Sequence, residues 1–171
     1  MVIFEEQAMD EMIQNLTQRL LDTHQDRWQD VALVGIQTRG YPLAERIAKR
    51  IKHQVNIHPL VGKLDISLYR DDLAEKGTFV TIRETNLPFE VTSKEIIVVD
   101  DVLFSGRTAR AAIDALLDYG RPKRITLAVL IDRGCRELPI RADFIGRELQ
   151  GSDYIHIHLL EVDGEDAVVI D

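Results

Sequence analysis

The sequence has a single cysteine, Cys135, among its 171 residues. One thiol cannot form an intramolecular disulfide, and without neighbouring cysteines it cannot build a zinc site. The chain also has no apolar run long enough to cross a bilayer, and its start, MVIFEEQAMDEM, is too acidic and too interrupted for a secretory signal. These absences argue against redox, structural-metal and membrane roles and predict a soluble, cytoplasmic protein.

Basic charge is also scarce, because 21 Lys and Arg stand against 29 Asp and Glu, for a net charge of -8. A field of that sign repels a phosphate backbone, which argues against unspecific nucleic-acid binding but leaves room for a local basic patch. Internal repeats and low-complexity segments are absent, and the 45% apolar content suffices for one core. We expect one domain spanning residues 1–171.

Apolar periodicity gives the order of the elements. Residues from Glu5 to about His24 carry apolar side chains at helical spacing, which predicts an amphipathic helix. The runs Val31–Ile36, Ile96–Asp101 and Ile125–Ile131 are typical of strands buried on both faces. Helices are predicted after the first two runs, at 43–52 and from about 108 to 119. Alternation of this kind predicts an α/β fold with a mainly parallel central sheet flanked by helices.

The segment IIVVDDVLFSGRT joins a buried strand to a helix through a short glycine-containing loop. Backbone N–H groups at such a turn, together with the helix dipole, form a cradle for a phosphate. Asp100 and Asp101 end the strand, where carboxylates can hold ribose hydroxyls and a hydrated magnesium ion. Two adjacent aspartates alone would more simply terminate a strand and cap a helix. Their occurrence together with the loop and the helix favours a ligand site.

This segment resembles the signature that binds 5-phosphoribosyl 1-pyrophosphate (PRPP) in the type I phosphoribosyltransferases. The resemblance implies that the two aspartates contact the ribose hydroxyls and Mg²⁺, through water or PRPP hydroxyls, and that the loop binds the 5′-phosphate. It also implies the family fold, with a flexible hairpin lid and a small hood. The residues that the resemblance assigns to PRPP are Asp100, Asp101, Val102, Leu103, Phe104, Ser105, Gly106, Arg107 and Thr108.

A second loop, GIQTRGYP, has neither the Lys-Ser/Thr of a Walker loop nor the G-x-G-x-x-G of a dinucleotide site. Taken alone it is an ordinary connection between a strand and a helix. Within the family it matches the loop that binds pyrophosphate, which makes Thr38, Arg39 and Gly40 candidates for that task. A guanidinium suits the charge that accumulates as pyrophosphate departs, so Arg39 joins Asp100 and Asp101 as candidate catalytic residues.

The lid of the family corresponds to a polar stretch of this chain, about residues 65–94. Leu68–Tyr69 and Thr78–Ile82 are predicted as two arms of a mobile hairpin around a charged tip that includes Glu75, Lys76 and Gly77. Tyr69, Arg70 and Arg83 are the side chains best able to reach a phosphate from this segment, although solvated hairpin charges explain them nearly as well. Hood elements are expected at about 132–155.

The acceptor base is indicated by two further features. Purine-specific relatives usually carry another aspartate in the PRPP loop, where this chain has Phe104. The segment LIDRGCRELPIRADFIGRE, together with DISLYRDD, is very similar to the pyrimidine operon regulators that double as uracil phosphoribosyltransferases. The resemblance implies uracil as the acceptor, with Ile131 and Asp132 on the base side. Cys135 stands where histidine is expected in close relatives.

Such regulators also bind leader RNA in response to uridine nucleotides, and they form dimers or larger assemblies. The resemblance therefore implies UMP, UTP, leader mRNA and further copies of the chain as partners. The first helix, however, does not match the Arg-Ile-Ala-His-like stretch of the regulators. A basic cluster is either an RNA surface or a solvated helix face; its members are Arg46, Lys49, Arg50, Lys52 and His53.

Two features near the end of the chain have structural explanations. His156 and His158 share one face of a predicted strand, which favours a polar or oligomer-facing surface over a metal site. Asp163–Gly164 lies between apolar runs, a pattern that predicts a tight hairpin turn.

Three functional alternatives remain open from the sequence. The chain is a uracil phosphoribosyltransferase, an RNA-binding regulator with a vestigial PRPP and UMP sensor, or a phosphoribosyltransferase for another base.

Overall fold

The computed structural model describes residues 1–73, 80–151 and 153–171. The predicted lid tip, Glu75 to Gly77, and the beginning of the second arm, residues 78 and 79, lie outside this range. The described residues form eight strands and four α-helices: β1 (Val2–Glu5), α1 (Glu6–His24), β2 (Val31–Ile36), α2 (Gly40–Val55), β3 (Leu60–Leu64), β4 (Glu95–Leu103), α3 (Arg107–Leu117), β5 (Arg124–Asp132), β6 (Phe144–Glu148), β7 (Ile155–His158), α4 (Leu160–Asp163) and β8 (Ala167–Ile170).

A five-stranded parallel sheet, in the order β3-β2-β4-β5-β6, is the centre of the fold. All six residues of β2 are buried, as its unbroken apolar sequence predicts. In the sheet register, Gly35 of β2 lies beside Val99 of β4, and Asp100 lies beside Val129 of β5. The strands therefore place their carboxyl ends, and the loops that follow them, along one edge.

Helices cover both faces of this sheet. The apolar stripe of α1, which includes Met9, Ile13 and Leu16, packs with α2 against one face. On the other face the alanine-rich α3 packs against β4 and β5. Two buried layers around a parallel sheet confirm the predicted α/β fold.

The two ends of the chain form a second, antiparallel sheet in the order β1-β8-β7. The hairpin turn predicted at Asp163–Gly164 was partly wrong. β7 and β8 do pair, but α4 separates them, and Gly164 ends that helix with a φ of 82°. Glycine adopts this left-handed conformation without the steric cost of a Cβ.

Other differences concern element boundaries. α2 is longer than the predicted 43–52, because it begins at Gly40 directly after the loop. The first predicted lid arm is not extended, since Ser67–Tyr69 forms a single 3-10 turn. Within 132–155, the region of the predicted hood, β6 joins the edge of the main sheet beside β5.

A buried histidine links the first helix to the sheet. His24, at the end of α1, is fully buried, and its Nδ1 and Nε2 lie 2.9 Å from the Leu20 carbonyl oxygen and 3.1 Å from Glu95 Oε1. Glu95 begins β4, so this contact fixes α1 against the strand that carries the two aspartates. No described helix combines the length and the apolar character needed to span a membrane.

Candidate active site

The two aspartates predicted from the sequence lie near the carboxyl end of β4, both partly buried. Asp100 Oδ1 accepts a hydrogen bond from the Asp101 N–H at 3.0 Å, and Asp101 Oδ1 accepts one from the Val102 N–H at 2.8 Å. Burial, followed by repulsion from Asp101, raises the pKa of Asp100 well above its ordinary value. Burial also raises the pKa of Asp101, against the opposing effects of backbone N–H groups and Arg39. Two carboxylates held this close to each other suit a positively charged or hydroxyl-bearing ligand.

The loop after β4 turns sharply into α3. Gly106 has a φ of 93°, and a Cβ there would lie 3.2 Å from Ile140 Cβ. α3 begins at the next residue, so its first free N–H groups point back over the loop, as a phosphate site requires. Ser105 Oγ accepts the Arg107 N–H at 3.3 Å. The loop therefore leads through a left-handed glycine into a helix start with free backbone N–H groups.

Arg107, the first residue of α3, pairs with acidic residues of two other segments. Its exposed guanidinium donates to Glu137 Oε2 at 2.7 Å and to Asp71 Oδ2 at 2.5 Å. Asp71 belongs to the predicted lid, so Arg107 joins the lid segment to the loop after β4 and to the loop after β5. No local sequence pattern indicates these two acidic partners.

The loop between β2 and α2 contains a cis peptide bond between Gln37 and Thr38. Gly40 brings the start of α2 against β4, because a Cβ at this position would lie 2.3 Å from the Val99 carbonyl oxygen. Arg39, next to it, donates Nε and Nη2 hydrogen bonds to the two carboxylate oxygens of Asp163 at 3.1 and 2.7 Å. Hydrogen bonding to Asp163 is the main cause of the raised pKa of Arg39, and Asp101 adds to it.

Two adjoining cavities bring these loops together. One, of about 300 Å³, is lined by the 102–109 segment, Asp100 and the lid residues Arg70 to Asp72. The other, of about 230 Å³, is lined by Thr38, Arg39, Arg83 and both aspartates, among others. Arg70, Asp100, Val102 and Thr108 line both cavities. The predicted phosphate loop and the predicted pyrophosphate loop thus open onto neighbouring spaces that share the Asp100 wall.

The lid candidates differ in placement. Arg70 and Arg83 line the second cavity, as a role in anion binding requires. Tyr69 does not fit that prediction, because its hydroxyl donates to Asp118 at the end of α3 and it lines neither cavity. Asp65 joins the two described ends of the lid, accepting the Arg83 N–H at 2.9 Å and the Ser67 hydroxyl at 2.5 Å.

The base-side candidates require a correction. The side chain of Ile131 is fully buried in the core, so it cannot contact a ligand in this conformation. Asp132 is also buried, and its carboxylate accepts the Gly134 N–H at 2.9 Å and Arg136 Nη2 at 2.6 Å. Arg136 also donates to the Phe104 and Ile140 carbonyl oxygens, at 2.9 and 2.8 Å. Asp132 therefore fixes the loop after β5 against the loop after β4.

An aromatic cluster at the same edge was missed by sequence reasoning. The guanidinium of the buried Arg133 lies 4.2 Å from the ring centre of Phe104 and 5.6 Å from that of Tyr154. Phe104 is partly exposed and lines the first cavity. Cation–π contacts of this kind join residues that are distant in sequence, so no local motif indicates them. Cys135, two residues further along the chain than Arg133, is exposed.

Two other sequence features lie away from the cavities. In the basic cluster of α2, Arg46 pairs with Glu161 and Asp166, and Arg50 pairs with Asp10, so these two charges are largely compensated. His156 and His158 of β7 contact Asp171 and Glu165, at 2.8 and 2.9 Å. Within the described part of the chain, no group of three or more His, Cys, Asp or Glu residues is placed to hold a metal ion.

The family model of the phosphoribosyl transferase domain matches residues 3–163 of the chain. The loops and cavities described above therefore belong to a protein of the phosphoribosyltransferase class. Structural similarity agrees on the fold. The hypoxanthine phosphoribosyltransferase of Trypanosoma cruzi matches with a TM-score of 0.72 and 13% identity, over 99% of this chain and 94% of that one. The hypoxanthine phosphoribosyltransferase of Staphylococcus aureus matches with a TM-score of 0.72 and 18% identity, over 98% and 90%.

Sequence relatives are more specific. The bifunctional protein PyrR of Thermus thermophilus is 59% identical over 140 residues, 81% of this chain and 77% of the relative. That of Ligilactobacillus salivarius is 46% identical over 170 residues, 97% and 95%. The chain belongs to the PyrR family of phosphoribosyltransferases.

Proposed function

We propose that this protein transfers the phosphoribosyl group of PRPP to uracil, forming UMP and releasing pyrophosphate. The observation that carries the proposal is the pair of adjoining cavities, which share Asp100 and open onto the start of α3 on one side and Arg39 on the other. A ligand with phosphate at one end, ribose hydroxyls in the middle and pyrophosphate at the other matches this order of groups.

Each part of PRPP has a proposed partner. The 5′-phosphate lies against the backbone of Ser105, Gly106 and Thr108 and the hydroxyls of Ser105 and Thr108. The free N–H groups at the start of α3 donate to it. Asp100 and Asp101 accept hydrogen bonds from the two ribose hydroxyls of PRPP. These hydroxyls bring protons that satisfy the carboxylates, which explains the use of two acids in a partly buried site.

The pyrophosphate lies against Thr38 and Arg39, with Arg70 and Arg83 closing over it from the lid segment. Gly40 contributes by holding this loop close to β4. As the bond from C1 to pyrophosphate lengthens, negative charge grows on the departing oxygens, and the guanidinium groups stabilise it. Closure of the lid keeps water from the electron-poor ribosyl carbon, so that N1 of uracil is the nucleophile that attacks.

Magnesium is the proposed cofactor. The carboxylate oxygens of Asp100 and Asp101 are the hard donors that Mg²⁺ prefers, and two of them fit an ion that completes its shell with water and PRPP oxygens. When bound, Mg²⁺ would neutralise part of the pyrophosphate charge.

Uracil is proposed as the acceptor because the chain belongs to the PyrR family and because Phe104 replaces the aspartate expected in purine enzymes. Phe104, held by Arg133, gives the first cavity an apolar wall suited to a flat ring.

The test is UMP formation from PRPP, Mg²⁺ and uracil, with orotate, xanthine, hypoxanthine and guanine assayed in parallel. We expect turnover with uracil and at least about tenfold less with each other base, since the pocket would leave their additional polar groups unpaired. Faster turnover with another base would show that this base, and not uracil, is the acceptor. No turnover with any base would contradict the enzymatic proposal.

Regulation by RNA is the second candidate function, and family membership favours it. Lys49, Lys52 and His53 on α2 are the members of the basic cluster for which no ion pair with an acidic residue is seen in the described residues. We propose that uridine nucleotides, UMP or UTP, bind the same site and control leader-mRNA binding in a homodimer or larger assembly. Gel-shift titration of leader RNA with and without UMP, together with light scattering, tests this proposal.

A further inference from the structure

The acidic segment at the carboxyl end, residues 160–166, contacts the predicted pyrophosphate loop. Asp163, at the end of α4, accepts the two hydrogen bonds from Arg39 in a parallel, fork-like arrangement. The two residues are 124 positions apart. The side chain of Asp163 is 17% exposed and that of Arg39 is 36% exposed. Bidentate pairs of this kind fix the plane of a guanidinium as well as its position.

Asp163 is itself held in place. Its Oδ2 also accepts the Leu159 N–H at 2.8 Å. The segment around it is tied to α2 by Arg46, which donates to Glu161 at 2.8 and 2.5 Å and to Asp166 at 2.8 Å twice. Hydrogen bonding to Arg39 lowers the pKa of Asp163, so the carboxylate is ionised at neutral pH. A rigid, charged acceptor can orient its partner without having to be ordered first.

The fork leaves part of Arg39 for a ligand. A guanidinium has five N–H donors, of which the Asp163 contact uses one on Nε and one on Nη2. The Nη1 hydrogens and the second Nη2 hydrogen lie on the other edges, and Arg39 lines the second cavity together with Asp101 and Arg83. Arg39 can therefore hold Asp163 and an anion at the same time.

We infer that Asp163 is a positioning residue, which orients Arg39 so that its free edge meets the pyrophosphate group of PRPP. This inference rests on the proposed function, because it assigns pyrophosphate to the second cavity. Asp163 ends α4, between β7 and β8, and lies outside both loops that the sequence motifs identify.

The test compares binding of two ligands to the Asp163→Asn variant by calorimetry in the presence of Mg²⁺. Pyrophosphate should bind roughly tenfold more weakly than to the original protein, because Arg39 loses its fixed orientation and a charge-assisted pair. UMP, whose phosphate is assigned to the loop before α3, should bind within about twofold of the original affinity. In turnover assays the KM for PRPP should rise while the KM for uracil stays within about twofold.

Glu165→Gln is the matched control. It removes one negative charge from the same segment, at an exposed side chain whose contact is His158, so neither Arg39 nor the Arg46 pairs are disturbed. Pyrophosphate affinity should be unchanged in this variant. A double substitution separates positioning from a general effect on folding, since Asp163→Asn should have no further effect on pyrophosphate binding in an Arg39→Ala protein.

Unchanged or tighter pyrophosphate binding by Asp163→Asn would overturn the inference, and so would equal weakening of pyrophosphate and UMP binding. Failure of the proposed function looks different. In that case the original protein binds neither pyrophosphate nor UMP and forms no product, and the inference fails with it. Unchanged melting of Asp163→Asn, with selective loss of pyrophosphate binding, is the result we expect.

Discussion

At the scale of single residues, the paired aspartates suit ligand binding but lower the stability of the ligand-free protein. Burial and the neighbouring Asp101 raise the pKa of Asp100, so the folded protein holds its proton more tightly than the unfolded chain does. The free energy of unfolding therefore falls as the pH rises from the ordinary carboxyl range through the raised pKa. At neutral pH, above the ordinary carboxyl pKa, this buried group therefore lowers the stability of the ligand-free protein.

Asp100→Asn should consequently raise the melting temperature while reducing UMP formation by more than about tenfold, since an orienting group is lost. A gain of roughly 1 kcal/mol corresponds to about 2–4 °C for a domain of this size. Calorimetry at pH 7 without PRPP or Mg²⁺ measures the shift. Asp30→Asn, at an exposed carboxylate, should leave both quantities unchanged. A lower melting temperature for Asp100→Asn would contradict this account.

At this scale, a site could be recognised from the sequence only where its residues are neighbours in the chain. Asp100, Asp101 and the loop before α3 are contiguous, so their pattern could be recognised, and the structure brings them together. The partner of Arg39 is Asp163, and nothing in either local sequence joins them. Ile131 failed as a base-side residue because both faces of β5 are covered, so that its side chain is buried in the core.

At the scale of elements, the site depends on how closely α2 approaches β4. Gly40→Ala would place a Cβ 2.3 Å from the Val99 carbonyl oxygen, and backbone atoms cannot yield easily. We expect a loss of about 1–3 kcal/mol in the free energy of unfolding and a large loss of turnover, because the loop with Arg39 must shift. Urea denaturation and the UMP assay measure the two effects.

Gly151→Ala is the matched control for this substitution, since a Cβ at that position would have no neighbour within 4 Å. It should change stability by less than about 0.5 kcal/mol, as for other surface changes. Equal effects of the two substitutions would mean that close approach is not the reason for glycine at position 40.

The contact between α1 and β4 gives a second prediction about elements. Glu95→Ala should lower the free energy of unfolding by about 1–3 kcal/mol, because it leaves Nε2 of the buried His24 without its partner. Glu90→Ala, at an exposed glutamate, should have little effect. Chemical denaturation of both variants measures the free energy of unfolding. An unchanged value for Glu95→Ala would exclude a stabilising role for the contact between His24 and Glu95.

The elements themselves were largely predictable. Unbroken apolar runs identified β2, β4 and β5, because strands buried on both faces have no polar side. The short edge strands carry a weaker signal: β1 has four residues and β6 has five. The formation of β1 also depends on β8, which is far along the chain, so local sequence could not specify it.

At the scale of the whole molecule, a net charge of -8 coexists with a cluster in which carboxylates surround Arg46. Hydrogen bonding to Arg46 lowers the pKa of Glu161, and the pKa of Asp166 is lowered although burial opposes it. Carboxyls with a pKa below the unfolded value stabilise the fold above that value, and this stability is lost as the pH falls through the folded pKa.

Arg46→Met should lower the free energy of unfolding at pH 7 by roughly 2 kcal/mol, because Asp166 is left partly buried without its cation. The same variant should lose less stability than the original protein as the pH falls below about 5, because the unfolded carboxyls take up protons before the paired ones do. Denaturation series at several pH values measure both effects. Lys49→Met, at an exposed lysine, serves as the control. Parallel acid profiles for Arg46→Met and the original protein would rule out this role of Arg46.

The pairing of β1 with β8 affects how the protein is made on the ribosome. Val2–Glu5 emerge long before their partner strand, Ala167–Ile170, is translated. Asp163 also arrives late, long after Arg39. A nascent chain can assemble the central sheet early, but it cannot hold Arg39 against Asp163 until translation has passed the acidic segment. Products of premature termination would therefore carry both proposed phosphate loops and still lack an aligned Arg39.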